Sequence, residues 1–269
     1  MRRFAGRRLR NVAILILLAA GLVLLDRLLG LTFRDAARTS GWLLLGMVVF
    51  LAGYNLFKKF PYLPLGSSAA WLQFHIYVGL LSVVIFGLHG GVSVPRGVFD
   101  AILAALYVSV AASGVFGLIV SRMFARRLTS RGGEILFDRI PRKLGLLRRA
   151  ARRVVQRSLA ETQSTLLPDF YIARLEPFFA AHRHLGHHLV HSSRPTNALV
   201  AEIRAQLRYL NEAESEYLTR VEGLVAEKDD LDYQYAHQAV LRYWLFMHVP
   251  LTYALLVFAV FHVILVHAF

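Results

Sequence analysis

WLFMHVPLTYALLVFAVFHVILVHAF, residues 244–269, is a run of apolar side chains broken by three imidazoles, His248, His262 and His267. With a few residues before it, the run is long enough to cross a bilayer as a helix. A histidine inside a span is ordinarily a hydrogen-bonded core residue. Ionisable groups at membrane depth are also costly and usually functional. What distinguishes this segment is the interval from 248 to 262. An earlier apolar stretch, AAWLQFHIYVGLLSVVIFGLHGG at 69–91, carries His75 and His89 at the same separation of fourteen residues.

Fourteen residues are close to four helical turns. Both imidazoles of a pair therefore leave their helix on nearly the same face, about 21 Å apart along the axis. If the two helices run in the same direction, His75 comes level with His248 and His89 with His262. Each level then offers two imidazoles across an interhelical gap, the arrangement for bis-histidine ligation of haem. A bare metal ion is the weaker reading, because each level supplies only two ligands and no nearby carboxylate or thiol. His267 could compete with His262, but its distance from His248 breaks the matched interval.

The rest of the chain supports a membrane setting. It has 269 residues, is 56% hydrophobic and has a mean hydropathy of +0.48, with the apolar residues clustered in spans. The spans are read at 11–31, 41–57, 69–91, 99–121 and about 241–268. The first follows the basic MRRFAGRRLR without a small-residue cleavage site and is expected to be an uncleaved span. The net charge of +14 comes from basic residues flanking the apolar runs, which suits the positive-inside rule rather than nucleic acid. Arg122 to Arg157 holds twelve Lys/Arg against Glu134 and Asp138. That side, with the N-terminus, Lys58 and Lys59, is expected to be cytoplasmic, and the first, third and fifth spans run outward. The absence of cysteine excludes disulfides, thiolate-held iron–sulfur clusters and covalent c-type haem in this chain.

The expected fold is an all-α membrane protein: five transmembrane helices with a cytoplasmic helical insertion between the fourth and fifth. The divisions are 1–121 for the first four helices, 122–240 for the insertion and 241–269 for the last. Within the insertion, breaks are expected at Gly132-Gly133, Pro141, Pro168 and Pro195. Leu199, Ile203, Leu207, Leu210, Leu218, Val221 and Val225 predict one helix over 195–227. The basic stretch 142–157 is expected to pair with the acidic stretch from Glu212 to Asp232. HRHLGHHLVH at 182–191 places His184/His188 and His187/His191 at i, i+4, a weak metal motif whose alternative is a polar face or loop. No GxGxxG, Walker or nucleophile motif is present.

Gly79, Gly87, Gly114 and Gly117 leave room for a bulky ring or serve ordinary helix packing. Arg242, Tyr243, Lys58 and Lys59 are candidate propionate partners at the inner level, and Arg96 at the outer.

Spans three and five, each with a His pair four turns apart, resemble the ferric reductase-like transmembrane domain of ferric reductases and NADPH oxidases. The two-haem plan is more distantly similar to respiratory cytochrome b. The resemblance covers residues 11–121 and 241–268 and implies His75, His89, His248 and His262 as axial ligands of two haem b groups. It also implies electron transfer across the membrane. The sequence shows neither a sixth span nor a flavin- or nicotinamide-binding domain, and it has a long insertion where the family has a short loop. The family's donor and acceptor therefore do not carry over.

The expected function is a di-haem b-type cytochrome acting as an electron-transfer subunit of an oxidoreductase complex. Its partners would be the lipid bilayer and a redox subunit bearing flavin, iron–sulfur or multihaem centres, with quinone as a further candidate. The expected location is a bacterial inner (cell) membrane. The competing readings are a stand-alone haem-dependent reductase of ferric chelates, oxygen or quinone, and a non-redox membrane anchor.

Overall fold

The computed structural model describes residues 2–32, 36–59, 67–90, 97–129, 135–206, 208 and 210–268, and among them there is no strand. The long helices are α1 Arg2–Thr32, α2 Ala36–Lys59, α3 Ser68–Gly90, α4 Val98–Thr129, α5 Ile140–Thr162, and, later in the chain, α10 Glu212–Ala268. Between α5 and α10 lie the short α6 Leu166–Phe170, α7 Glu176–Ala180 and α8 Leu185–Leu189, then α9 Arg194–Gln206. A π-helical turn, Tyr171–Leu175, joins α6 to α7.

Among the described residues, four helices carry segments long and apolar enough to cross a membrane: Leu9–Leu28 in α1, Ser68–Gly90, Val98–Leu128, and α10. The described apolar part of α2, Arg38–Tyr54, falls short of that length. α10 stays helical through Pro250.

The chain divides into two compact units. Met1–Ile119 and Trp244–Phe269 form the first. Its surface is inverted relative to a water-soluble domain: Leu17, Phe74, Phe246 and Phe261 are exposed, Phe246 by 73%. Hydrocarbon is the solvent that such a surface matches. A small core of Val48, Tyr107 and Leu255 lies inside, with Phe86 stacked on Tyr107 at 4.0 Å. The Ser82 hydroxyl hydrogen-bonds the Tyr107 hydroxyl at 2.8 Å, so the buried phenol is satisfied without water.

Val120–Tyr243 form the second unit. α5 buries Ile140, Leu147, Ala151, Val155 and Ser158, one stripe at helical spacing. That stripe joins Leu175, Phe179, Ile203, Leu218, Val221 and Val225 in a single apolar core. The helix expected over 195–227 is instead two. α9 ends at Gln206 and α10 starts at Glu212. Asn211 Oδ1 accepts from the Glu214 N–H and Glu214 Oε2 accepts from the Asn211 N–H, a reciprocal cap that starts a new helix whatever the apolar periodicity. Charge pairing also differs from expectation. Arg148 and Arg152 of α5 pair with Glu176 of α7, while Glu222 of α10 pairs with Arg204 of α9.

Among the described residues of this unit, the ionisable side chains of Lys228 and His237 are completely buried. His237 Nδ1 hydrogen-bonds the Tyr233 carbonyl at 2.8 Å, and its ring meets Phe124 edge-on at 4.6 Å. Burial first, then the charges of Arg127, His191 and His188, hold its pKa below the ordinary 6.5, against the Tyr233 hydrogen bond. Between the folded and unfolded pKa values only the unfolded chain binds this proton, so stability falls as pH drops through about 6.5. Lowering the pH from 7.5 to 5.5 is expected to open this unit to proteolysis. The slope from this one proton is at most about 1.4 kcal/mol per pH unit, and His237→Phe should flatten it.

Candidate functional site: paired histidines in the first unit

His75 and His89 on α3, and His248 and His262 on α10, are half-buried, while Phe74, Phe246, Met247 and Phe261 beside them are exposed. The imidazoles therefore face the interior of the unit and their neighbours face outward. The His89 and His262 rings lie 6.3 Å apart, centroid to centroid, at 89°. The His75 and His248 imidazoles are close enough to interact electrostatically. Thus α3 and α10 run parallel, and the histidines meet in the register 75 with 248 and 89 with 262.

The neighbouring helices keep the same interval in the opposite direction. On α2, Tyr54 packs on His75 with centroids 4.9 Å apart, and Ser40 Oγ hydrogen-bonds His89 Nδ1 at 3.4 Å. On α4, Ser113 Oγ hydrogen-bonds His248 Nδ1 at 3.1 Å, and Phe99 stacks on His262 at 6.5 Å. The contact residues 40 and 54, and 99 and 113, are again fourteen apart. Two levels result: Tyr54, His75, Ser113 and His248 at the first, and Ser40, His89, Phe99 and His262 at the second. Asp100 adds a carboxylate to the second, with Oδ1 3.5 Å from His262 Nδ1.

Glycine permits the closest of these approaches. A Cβ on Gly41 would lie 2.8 Å from His89 Cε1, and one on Gly114 would touch His248 Cε1 at 3.7 Å. A Cβ on Gly117 would overlap the Trp244 indole. That indole stacks on His248 at 5.3 Å and donates Nε1–H to the Ser113 carbonyl at 2.8 Å. Gly117→Val is expected to expel Trp244 and release His248, destabilising the α4–α10 contact by about 1–3 kcal/mol. A thermal shift of the purified protein measures this. Among the described residues a Cβ on Gly79 would meet only Leu51, and one on Gly87 would meet nothing within 4 Å.

The second level opens into a cleft of about 120 Å³, lined by Trp42, Phe86, His89, Tyr107, His262 and His267 among others. Apolar walls with a few convergent polar groups are typical of cofactor sites. His267 donates from Nδ1 to the Val263 carbonyl and meets Trp42 edge-on at 5.6 Å, so its contacts differ from those of His262.

These residues fit a metal held by two axial imidazoles. His75 Nδ1 is buried with no hydrogen-bond partner among the described residues. A ring nitrogen left so in hydrocarbon is costly. At the second level, two imidazoles bonded to opposite sides of one metal at about 2 Å each have centroids roughly 6 Å apart, close to the observed separation. Ser113 and Asp100 sit at the Nδ1 atoms of His248 and His262, as outer partners of metal-bound histidines do.

Arg242 belongs to the second unit, where it bonds Asp138 Oδ1 at 2.8 Å and lies over Phe137. Lys58 is near the C-terminal end of α2 with its side chain outside the described residues, and Arg96 is itself outside them.

The 182–191 run is not one helix. α8 covers only Leu185–Leu189, and His184 and His191 have φ of 56° and 59°. His182 Nδ1 bonds Asp232 at 2.8 Å, and His188 lies 3.7 Å from Asp229. Among the described residues no group of three or more His, Asp or Glu is placed to hold a metal ion.

Sequence reading alone missed Ser40, Tyr54, Asp100, Ser113 and Trp244. The repeated interval of fourteen on α2 and α4 was the available signal, but it has no meaning until the antiparallel register is known. No family model, curated protein or solved structure matches this chain.

Proposed function

We propose that the chain is a di-haem b-type cytochrome that carries electrons across a membrane as a subunit of a larger redox complex. The observation that carries this reading is the matched pair of levels, with His75 and His248 at one and His89 and His262 at the other. Their spacing of about four turns, ~21 Å, separates two one-electron sites along the axis of α3 and α10. In this reading α2 completes five spans. The Lys/Arg distribution puts the N-terminus and the Val120–Tyr243 unit in the cytoplasm, which makes the first level the inner one.

Bound haem supplies a one-electron iron couple. The chain's own part is to hold the imidazoles in register, to orient His248 through Ser113 and Trp244, and to keep water from both levels with apolar side chains. In this reading electrons pass to or from a flavin, iron–sulfur or multihaem partner, or a quinol.

The test is the visible spectrum of the protein purified from haem-replete cells. The expected result is sharp, split reduced bands of bis-imidazole haem, with about two haems per chain. A colourless preparation excludes the reading and leaves the membrane-anchor alternative. Turnover of ferric chelate or quinone by the isolated chain would favour the stand-alone reductase.

A further inference from the structure

The two levels differ in what stands behind the α10 histidine. At the first level, His248 Nδ1 meets a neutral hydroxyl, Ser113 Oγ, at 3.1 Å. At the second, His262 Nδ1 meets a carboxylate, Asp100 Oδ1, at 3.5 Å. Asp100 sits in the first turn of α4, where the helix dipole favours a negative charge. His262 is 29% exposed and Asp100 49%, so the contact lies at the open end of the second level rather than in its core. The other ring there, His89, meets the Ser40 hydroxyl at its Nδ1.

Resting on the two-haem reading, we propose that Asp100 is a positioning residue for the second-level haem: it holds His262 with Nε2 directed at the metal and lowers that haem's reduction potential. The physical reasons are general. A carboxylate close to Nδ1 favours the tautomer with its proton there, which leaves Nε2 as the donor, and it makes the imidazole a more basic ligand. More electron density on the ligand, and a negative charge one imidazole away, favour the oxidised metal, because hydrogen bonding and local charge are among the levers on potential. Ser113 supplies orientation at the first level but no charge. The chain thus builds a difference between two sites whose ligands are identical.

The experiment is a potentiometric titration of the full-length protein in detergent, followed in the visible bands. Asp100→Asn is expected to raise the midpoint of one haem. At fixed potential its oxidised-to-reduced ratio falls about tenfold, ~59 mV for a one-electron couple, while the other haem stays within about twofold. Asp100→Glu, which keeps the charge, should remain near the parent. The haem that shifts must be the one retained in the His75→Ala protein. An unmoved or lowered midpoint, or a shift confined to the haem retained in His89→Ala, overturns the proposal. If Asp100→Asn loses the haem outright, Asp100→Glu decides: a retained haem of near-parental potential supports the proposal, and its loss overturns it. A parent protein without haem refutes the two-haem reading itself, an outcome distinct from all of these, and the role of Asp100 falls with it.

Discussion

On the two-haem reading, His248→Ala is expected to reduce the haem content from about two per chain to about one, with the surviving haem unchanged in its reduced spectrum. The reason is local. His248 is the first-level ring on α10, held by Ser113 Oγ at 3.1 Å and flanked by Trp244. An alanine there leaves one axial nitrogen, from His75, and a haem with one protein ligand is held far less firmly. His75→Ala should give the same product, because the two rings serve one level. His89→Ala and His262→Ala should each remove the other haem, so the four variants fall into two spectral classes paired by level, not by helix. Haem-to-protein ratio and reduced-minus-oxidised spectra measure it. Classes that pair His75 with His89, or a full haem complement in every variant, would contradict the register read from α3 and α10.

Lys228→Ala should destabilise the Val120–Tyr243 unit by about 3–5 kcal/mol, the range for breaking a buried ion pair from one side. The Lys228 side chain has 0% exposure. It pairs with Asp232 one turn along α10, donates to the Ala181 carbonyl at 2.9 Å and lies 4.2 Å over the Phe178 ring. Asp232 also accepts from His182 Nδ1 and, at 3.1 Å, from the Arg183 N–H. This carboxylate therefore ties the segment after α7 to α10. Removing the ammonium leaves Asp232 buried beside a half-vacant site, and the Ala181 carbonyl loses its donor. Thermal unfolding and limited proteolysis of the full-length protein should both register the loss. Arg220→Ala, which breaks an exposed i, i+4 pair with Glu216, should leave both unchanged. Equal behaviour of the two variants would mean that Lys228 contributes no more than a surface charge.

The basic residues of this unit illustrate where reading a chain linearly fails. Opposite charge between 142–157 and 212–232 suggested a direct pairing. In the fold, Leu147 and Val155 of α5 join Leu218 and Val221 of α10 in one apolar core, and Arg148 and Arg152 of α5 reach Glu176 instead. Exposed ion pairs are weak, so they follow the packing of the apolar stripes and do not direct it. The break between α9 and α10 has a similar origin. Apolar periodicity runs through residues 195–227, yet Asn211 and Glu214 cap a new helix. The capping pattern was present in the sequence but outweighed there by the longer periodic signal.

The sequence by itself determined the helical character of the chain, the apolar stretches long enough to cross a membrane, and the equal spacing of two histidine pairs. Each of these is a local property: length, hydropathy and a count of turns along one helix. Which rings face one another, and what stands behind each, was decided only by tertiary structure. Ser113 at His248, Asp100 at His262 and Trp244 over Gly117 join positions more than a hundred residues apart. Such contacts depend on the direction and register of neighbouring helices, and a lipid-facing helix sequence constrains both weakly, because hydrocarbon accepts almost any apolar face.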